Sequence, residues 1–356
     1  MKAILILIVS VLTLCTSCEG QITSPVQLGS TVTELDDSIW YILQDKNKNF
    51  WFGSNGHGVY YFDGNTLLNL TSKDGLLSDE IRGIQEDSLG NIFIASLGGI
   101  NKFDGKELTP LVPIESDEWE LDANDLWFSI LGKKNENGVY RYDGTTLHHL
   151  KFPKHYLEDE FFSNYPNPAF SPYEVYSTYK DRDGHMWFGT ANLGVCRYDG
   201  KALSWLYEDH LSNTPSGGSF GIRSIFEDKD GLFWFCNTRN SYAISATYTA
   251  KDGTNLIDYE RKNGMGKLAA ETTDDFPYFF SITDDHTGAL WMVTYDQGVL
   301  KFKENKLTQY PIIENDTIVN LYTIYKDKEN NLWLGTHNAG VYKFNGTAFE
   351  KFKPFG

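Results

Sequence analysis

Hydrophobic positions along this chain come in short bursts rather than in long amphipathic stretches. Bursts such as Phe50-Trp51-Phe52 and Leu126-Trp127-Phe128 do not alternate with polar residues, so each predicts a strand buried on both faces. An Asp and a polar turn precede them. Asp45 leads to Trp51, Asp87 to Phe93, Asp181 to Trp187, Asp228 to Trp234, Asp285 to Trp291 and Asp327 to Trp333. A further copy, Asp122 to Trp127, is one residue shorter. Beyond the copies lie Gly-Val-Tyr-like strands and second turns at Asp63-Gly64, Asp104-Gly105, Asp143-Gly144, Asp199-Gly200, Asp252-Gly253 and Asn345-Gly346. Asp-Gly and Asn-Gly pairs supply the positive φ that tight hairpins need.

Units of four short strands, buried on both faces, cannot stand alone, but stacking them radially buries every face. The aromatic positions recur at irregular intervals of 34 to 60 residues, which suits blades with variable loops better than a solenoid of fixed period. The expected fold is all-β, a seven-bladed β-propeller of four-stranded antiparallel blades over residues 36–356, with no helix of consequence. Each copy is expected to supply all four of its strands. Packing of the first blade on the seventh would close the ring, aided by Val26–Thr33. Trp51, Trp127, Trp187, Trp234, Trp291 and Trp333 are expected to be structural, since a functional group would not need one copy per blade.

The repeat itself carries a resemblance. Ile81 to Asp104, Val175 to Gly200, Ile222 to Phe235 and Leu321 to Gly346 follow the pattern Ile-x-x-Ile-x-Glu-Asp-x-x-Gly-Asn-Ile-Trp-Phe-Gly-Thr. This resembles the two-component regulator propeller repeat, over nearly everything from Asp36 to Phe352. The resemblance implies a periplasmic sensor domain of the kind attached to hybrid histidine kinases, often tied to polysaccharide use. No transmembrane, kinase or response-regulator segment follows before Gly356, so a stand-alone protein that cannot signal across a membrane by itself is expected. The Asp-to-Trp turn also resembles the Asp-boxes of sialidases, which are structural hairpins and imply no catalysis.

The first residues read as an export signal. Lys2 gives a weak positive start, Ile4 to Leu14 is an apolar core too short to span a bilayer, and Cys15-Thr16-Ser17-Cys18 follows. Ser17 before Cys18 resembles a bacterial lipobox, with Cys15 standing where such a motif prefers Leu. The expectation is a signal peptide at 1–17, lipidation at Cys18 and a tether over 18–35, with the mature protein in the cell envelope and touching a membrane only through its lipid. The alternative is plain cleavage without lipid. Cys196 and Cys236 lie in neighbouring repeats, where either a disulfide or two simply buried thiols is conceivable. Beyond the signal region no Cys-x-x-Cys pair is present, so no metal is expected, and no cofactor is implied.

A formal net charge of −17 would repel phosphate backbones, so nucleic acid is not an expected partner. A monomer is expected. Aromatics make up 15% of the chain, more than seven structural positions require, and this turns attention to where the others stand.

If strands are ordered from the axis outwards, the two kinds of short turn share one face. The opposite face then carries the long connections: Lys151–Pro172 with His155 and Glu158, Tyr207–Gly221 with His210 and Gly217-Gly218, and Lys262–Pro277 with Met265 and Asp274-Asp275. Binding usually sits on such loops, although tolerated surface insertion is the plainer alternative. Six residues before the repeat Asp stand Ile39, Ile81, Val175, Ile222, Phe279 and Leu321, and four before it mostly small residues such as Gly83, Ser177, Ser224, Ser281 and Thr323. Between them the position varies: Trp40, Arg82, Tyr176, Arg223, Phe280 and Tyr322, with Trp119 the doubtful member from the short copy. These side chains would ring the channel mouth on the loop-rich face, and the loops after the second strands add His57, Asn192, Arg239, Tyr295, Asp296 and His337. Aromatic faces for sugar C–H surfaces and Arg forks for hydroxyls or a carboxylate make a glycan or small-ligand site. The same residues could instead be packing between blades. His57 and His337, from adjacent blades, would face each other as a hydrogen-bonding pair.

Three functions stay open at this level. The first is an exported ligand-binding propeller of the sensor type. The second is a scaffold binding another cell-envelope protein, and the third is a polysaccharide lyase or glycosidase. No motif selects catalytic residues, and none is assigned.

Overall fold

The computed structural model describes residues 28–131, 137–208, 211, 220–266 and 278–356. The proposed signal peptide, Cys18, His210, Gly217, Gly218, Asp274 and Asp275 lie outside them. Among the described residues, strand pairing groups the chain into seven units taken in chain order, the fourth and fifth joined by a single parallel pair, Trp205 with Leu256, and a separate two-stranded hairpin, Ile313–Glu314 with Thr317–Ile318, before the seventh. The first unit runs Ile39–Gln44, Phe50–Ser54, Val59–Phe62 and Leu67–Leu70, all antiparallel, and Ser30–Thr31 pairs on its outer edge. The seventh runs Leu321–Lys326, Leu332–Thr336, Val341–Phe344 and Phe349–Lys351. A seven-residue helix, Glu158–Asn164, stands in the long connection between the third and fourth units.

One relay of aromatic contacts holds neighbouring units together. Trp51 meets Phe103 of the second unit (ring centroids 5.5 Å apart), Phe93 meets Tyr142 of the third (4.8 Å), and Trp127 meets Phe188 of the fourth (5.5 Å). Trp187 meets Phe233 (4.5 Å), Trp234 meets Phe302 (5.7 Å) and Trp291 meets Phe344 (5.0 Å). Trp333 of the seventh unit then meets Phe50 of the first at 4.6 Å, so the cycle closes. All six tryptophans are at most 3% exposed. Burying so large a ring at every boundary is what lets strands with two apolar faces fold. Closure rests on this packing and on Phe352 against Phe52 and Phe62. Ser30–Thr31 pairs with the outer edge of the first unit, and the next residue, Val32, packs on the apolar cluster of that seam.

The third unit departs from four antiparallel strands. Its strands are Leu126–Phe128, Val139–Tyr142 and Leu147–Leu150, and its fourth member, Ile114–Ser116, pairs parallel on the outer edge. No innermost strand is present among the described residues of this unit. The shortened turn accompanies this departure. Its buried carboxylate, Asp125, pairs with Arg141 (Nε–Oδ2 2.6 Å) instead of holding the tryptophan, and the segment before it turns away to pack. Trp119 accordingly joins Trp127, Phe152, Phe188 and Tyr198 between the third and fourth units, not the channel.

One smaller point of chemistry also differs from expectation. In the second turns the positive φ falls on the Gly alone, +94° at Gly64 and +100° at Gly144. The Asp contributes its side chain, Asp63 accepting from the Asn65 and Thr66 N–H groups at 2.8 and 2.7 Å. Cys196 and Cys236 are both buried and unbridged.

Candidate functional site

Five innermost strands share one irregularity. Pairing jumps from Ile39–Ser54 to Tyr41–Gly53, from Ile81–Ser96 to Gly83–Ala95, and from Val175–Thr190 to Ser177–Gly189. It does so again from Phe279–Thr294 to Ser281–Val293 and from Leu321–Thr336 to Thr323–Gly335. The residues skipped are Trp40, Arg82, Tyr176, Phe280 and Tyr322. The variable position in the repeat is thus a β-bulge, an extra residue that leaves the ladder and re-aims its side chain. In the fifth unit Arg223 precedes the first strand, Ile225–Glu227, and its N–H donates to Cys236 Sγ at 3.2 Å.

The bulged side chains converge, and all are partly exposed. Trp40 stacks on Tyr322, with centroids 4.3 Å apart and planes 12° apart. His337 sets its edge against Trp40 (5.0 Å), Tyr322 (5.2 Å) and Tyr295 (5.2 Å). Phe280 lies 5.5 Å from Tyr322 and 5.8 Å from Tyr295. The Arg82 guanidinium stands 5.2 Å from the Trp40 ring, and that of Arg223 stands 4.4 Å from Tyr176 and 5.5 Å from Phe280. Eight predicted residues therefore form one chain of contacts around the mouth. His57 is not paired with His337; its ring meets Asp36 at 3.2 Å and is largely exposed. Arg239 sits in the fifth unit's loop, where its carbonyl accepts from the Met265 N–H at 2.8 Å.

Sequence reasoning missed five contributors. Tyr41 occupies the position that is small in the other units and packs on Tyr322 at 5.9 Å. Phe220 places its ring 4.8 Å from the Arg223 guanidinium and 5.2 Å from Phe280. Glu80 and Asn55 hold Arg82 at 2.8 and 3.0 Å. Gly221 is the glycine that matters in its loop. Its φ is +70°, and a Cβ there would come within 2.3 Å of the Tyr176 ring. An unusual aromatic at a small position was the one signal available, at Tyr41.

Electrostatics keep the rings of the mouth uncharged, beside its arginines and the carboxylates Glu80 and Glu174. Desolvation, then the neighbouring Tyr322, pushes the Tyr41 phenol well above its ordinary value. Burial pushes Tyr176 to about 12. Burial, then the charge of Arg223, pulls His337 below the ordinary imidazole value, which favours the uncharged ring. Trp40 Nε1 and His337 Nε2 are buried without a hydrogen-bond partner. Native interiors rarely leave such atoms unpaired without a reason. Cavities also open on the turn-rich face, one of about 910 Å³ between the sixth and seventh units beside Lys301 and Lys343. Another, of about 510 Å³, lies under the gap in the third unit.

Against known proteins, the family model described as two component regulator propeller matches residues 33–56, 169–192 and 314–338. No curated protein matches the chain. Among solved structures, the extracellular domain of the hybrid two component system BT4673 from B. thetaiotaomicron is similar at 18% identity and a TM-score of 0.57. That likeness covers 89% of this chain and 40% of that one, so the chain spans about two-fifths of the structure it matches. Virginiamycin B lyase from Staphylococcus aureus is similar at 14% identity and a TM-score of 0.60, over 88% of this chain and 97% of that one. PorZ, a surface component of the type-IX secretion system of Porphyromonas gingivalis, is similar at 16% identity and a TM-score of 0.57, over 91% and 48%. At such identities the likeness shows the fold and nothing finer. Propeller structures cover most of its length and three of its segments are similar to the two-component regulator propeller repeat, so this chain has a β-propeller fold that carries segments of that repeat type.

Proposed function

We propose that this protein is an exported ligand-binding propeller of the sensor type, which takes a glycan or other small ligand at the channel mouth on its loop-rich face. One observation carries the reading: five bulges at equivalent positions direct large stacking or cationic side chains to one partly exposed cluster. Packing alone would call for similar residues in each unit, as at the tryptophan position. An aromatic shelf such as Trp40–Tyr322 suits the C–H face of a sugar. Export is supported by the apolar run ending at Ser17-Cys18 and by the extracellular origin of the BT4673 domain. A glycan array followed by titration tests the function. Trp40→Ala and Tyr322→Ala should each weaken binding by about 1–3 kcal/mol, measured on variants that keep a cooperative melting transition. Unaltered affinity in both variants would move the site elsewhere.

One observation favours the scaffold reading. Tyr156, Phe162 and Tyr165 lie 41%, 41% and 59% exposed around the helix on the loop-rich face, where exposed rings suit a protein partner. If Phe162→Ser with Tyr165→Ser abolished cell-surface function while glycan binding persisted, that second reading would take precedence.

A further inference from the structure

Two guanidinium groups reach the mouth, and they are not equivalent. Arg82 is spent: it donates to Glu80 at 2.8 Å, to Asn55 at 3.0 Å and to the Ile81 carbonyl at 2.9 Å, with only 9% of its side chain exposed. Among the described residues, the Arg223 guanidinium donates only through Nε, to the Phe220 carbonyl at 3.2 Å. Tyr176, Phe220 and Phe280 surround it at 4.4, 4.8 and 5.5 Å. Arg141, Arg182 and Arg261 each have a carboxylate within 4 Å. No carboxylate among the described residues pairs with Arg223.

In a chain of net charge −17, a half-buried cation that no carboxylate of the described residues pairs with needs a physical reason. Three ring faces supply part of its stabilisation, and they fix its plane while leaving both Nη groups to donate. A planar fork held in this way matches a carboxylate, which can accept from both at once. Phe280 connects the cation to the Trp40–Tyr322 shelf, lying 5.5 Å from the Arg223 guanidinium and 5.5 Å from the Tyr322 ring. At the far end of that shelf stand the two unpartnered nitrogens, Trp40 Nε1 and His337 Nε2.

We infer that Arg223 anchors the carboxylate of an acidic ligand, so that the mouth selects glycans bearing a uronic or other carboxylated sugar over neutral ones. This rests on the mouth being a ligand site and adds the ligand's charge class. The sugar face lies on Trp40 and Tyr322, and the carboxylate reaches past Phe280 to the fork. Sulfate esters carry the same charge on a tetrahedral group, so carboxylated and sulfated glycans form separate arms of the test.

The experiment is an array of neutral, carboxylated and sulfated glycans, probed with the wild type, Arg223→Gln and Arg223→Lys, each checked by thermal melting. Lys343→Gln, which removes a cation from the turn-rich face, is the control. Carboxylated glycans should be retained by the wild type and by Lys343→Gln. They should bind Arg223→Gln at least about tenfold more weakly, the scale of a lost charge-assisted contact. Arg223→Lys keeps the charge without the fork and should fall in between, and it carries the test if the Gln variant does not fold. Retention of sulfated glycans alone would overturn the carboxylate assignment. Equal retention of neutral glycans by wild type and Arg223→Gln would overturn the charge selection and keep the mouth as a glycan site. No retention of any glycan would overturn both.

Discussion

At the scale of single residues, one carboxylate organises each repeat turn. Asp285 Oδ1 accepts from the Thr287 and Ala289 N–H groups at 2.9 and 3.1 Å, while Oδ2 accepts from Trp291 Nε1 at 2.9 Å. Asp45, Asp181, Asp228 and Asp327 hold their tryptophans likewise, at 2.7 to 3.2 Å. Burial by itself would raise the Asp285 carboxyl, but the donors from Thr287, Trp291 and Ala289 outweigh it and hold the group well below the usual carboxylate range. A folded value below the unfolded one contributes stability above about pH 4, lost as pH falls through the folded value. Asp285→Asn should therefore cost about 1.5–3 kcal/mol at neutral pH and flatten the acid limb of melting temperature against pH. His155 works at a milder pH. It is fully buried beside Trp205, and burial pulls its imidazole to about 4 from 6.5. Its contribution is present above about pH 6.5 and lost as pH falls towards 4, on the order of 3 kcal/mol in all. His155→Phe should remove that slope from denaturant midpoints measured between pH 7 and 4; an unchanged slope would show that the ring is not desolvated.

At the scale of elements, the third unit is where the repeat fails. Leu126–Phe128 faces the channel as an edge strand; Gln85 Nε2 donates to the Trp127 carbonyl at 2.6 Å, and Lys180 caps the Ala123 carbonyl at 2.8 Å. Trp127 Nε1 is buried without a partner, whereas Trp187 Nε1 donates to Asp181 at 2.8 Å. Trp187→Phe should thus cost about 1.5–3 kcal/mol more than Trp127→Phe, the worth of a bond to a charged group, and equal losses in melting experiments would contradict the contrast. Amide exchange should also be faster over Leu126–Phe128 than over Met186–Thr190, which is paired on both sides. Much of the element plan was legible in advance. Phe50–Ser54 and Leu126–Phe128 fall where the apolar bursts put them, because strand and turn chemistry is local. The missing inner strand was not, since Trp119 and Leu121 look like strand residues and only their packing between units shows otherwise. The bulge was visible only indirectly, as variation between an apolar and a small position. Phe220 and Glu80 come from connections whose path is set by tertiary packing, which no local pattern encodes.

At the scale of the whole molecule, the ring has a seam between its last and first units. Trp333, Phe50, Phe52 and Phe352 form it, with Gln44 bridging across to Glu329 at 2.8 Å. Trp333→Ala should cost about 3–5 kcal/mol and lower a single cooperative transition. A second, separate melting step would mean that the units unfold independently, as in an open repeat array. Closure also sets the mouth, because Trp40 of the first unit stacks on Tyr322 of the seventh across the same seam. A structure of the protein with an array-selected glycan tests the central claim most directly. The ligand should lie on the Trp40–Tyr322 stack with an acidic group at Arg223, while a ligand in the cleft beside Lys301 and Lys343 on the opposite face would contradict the account.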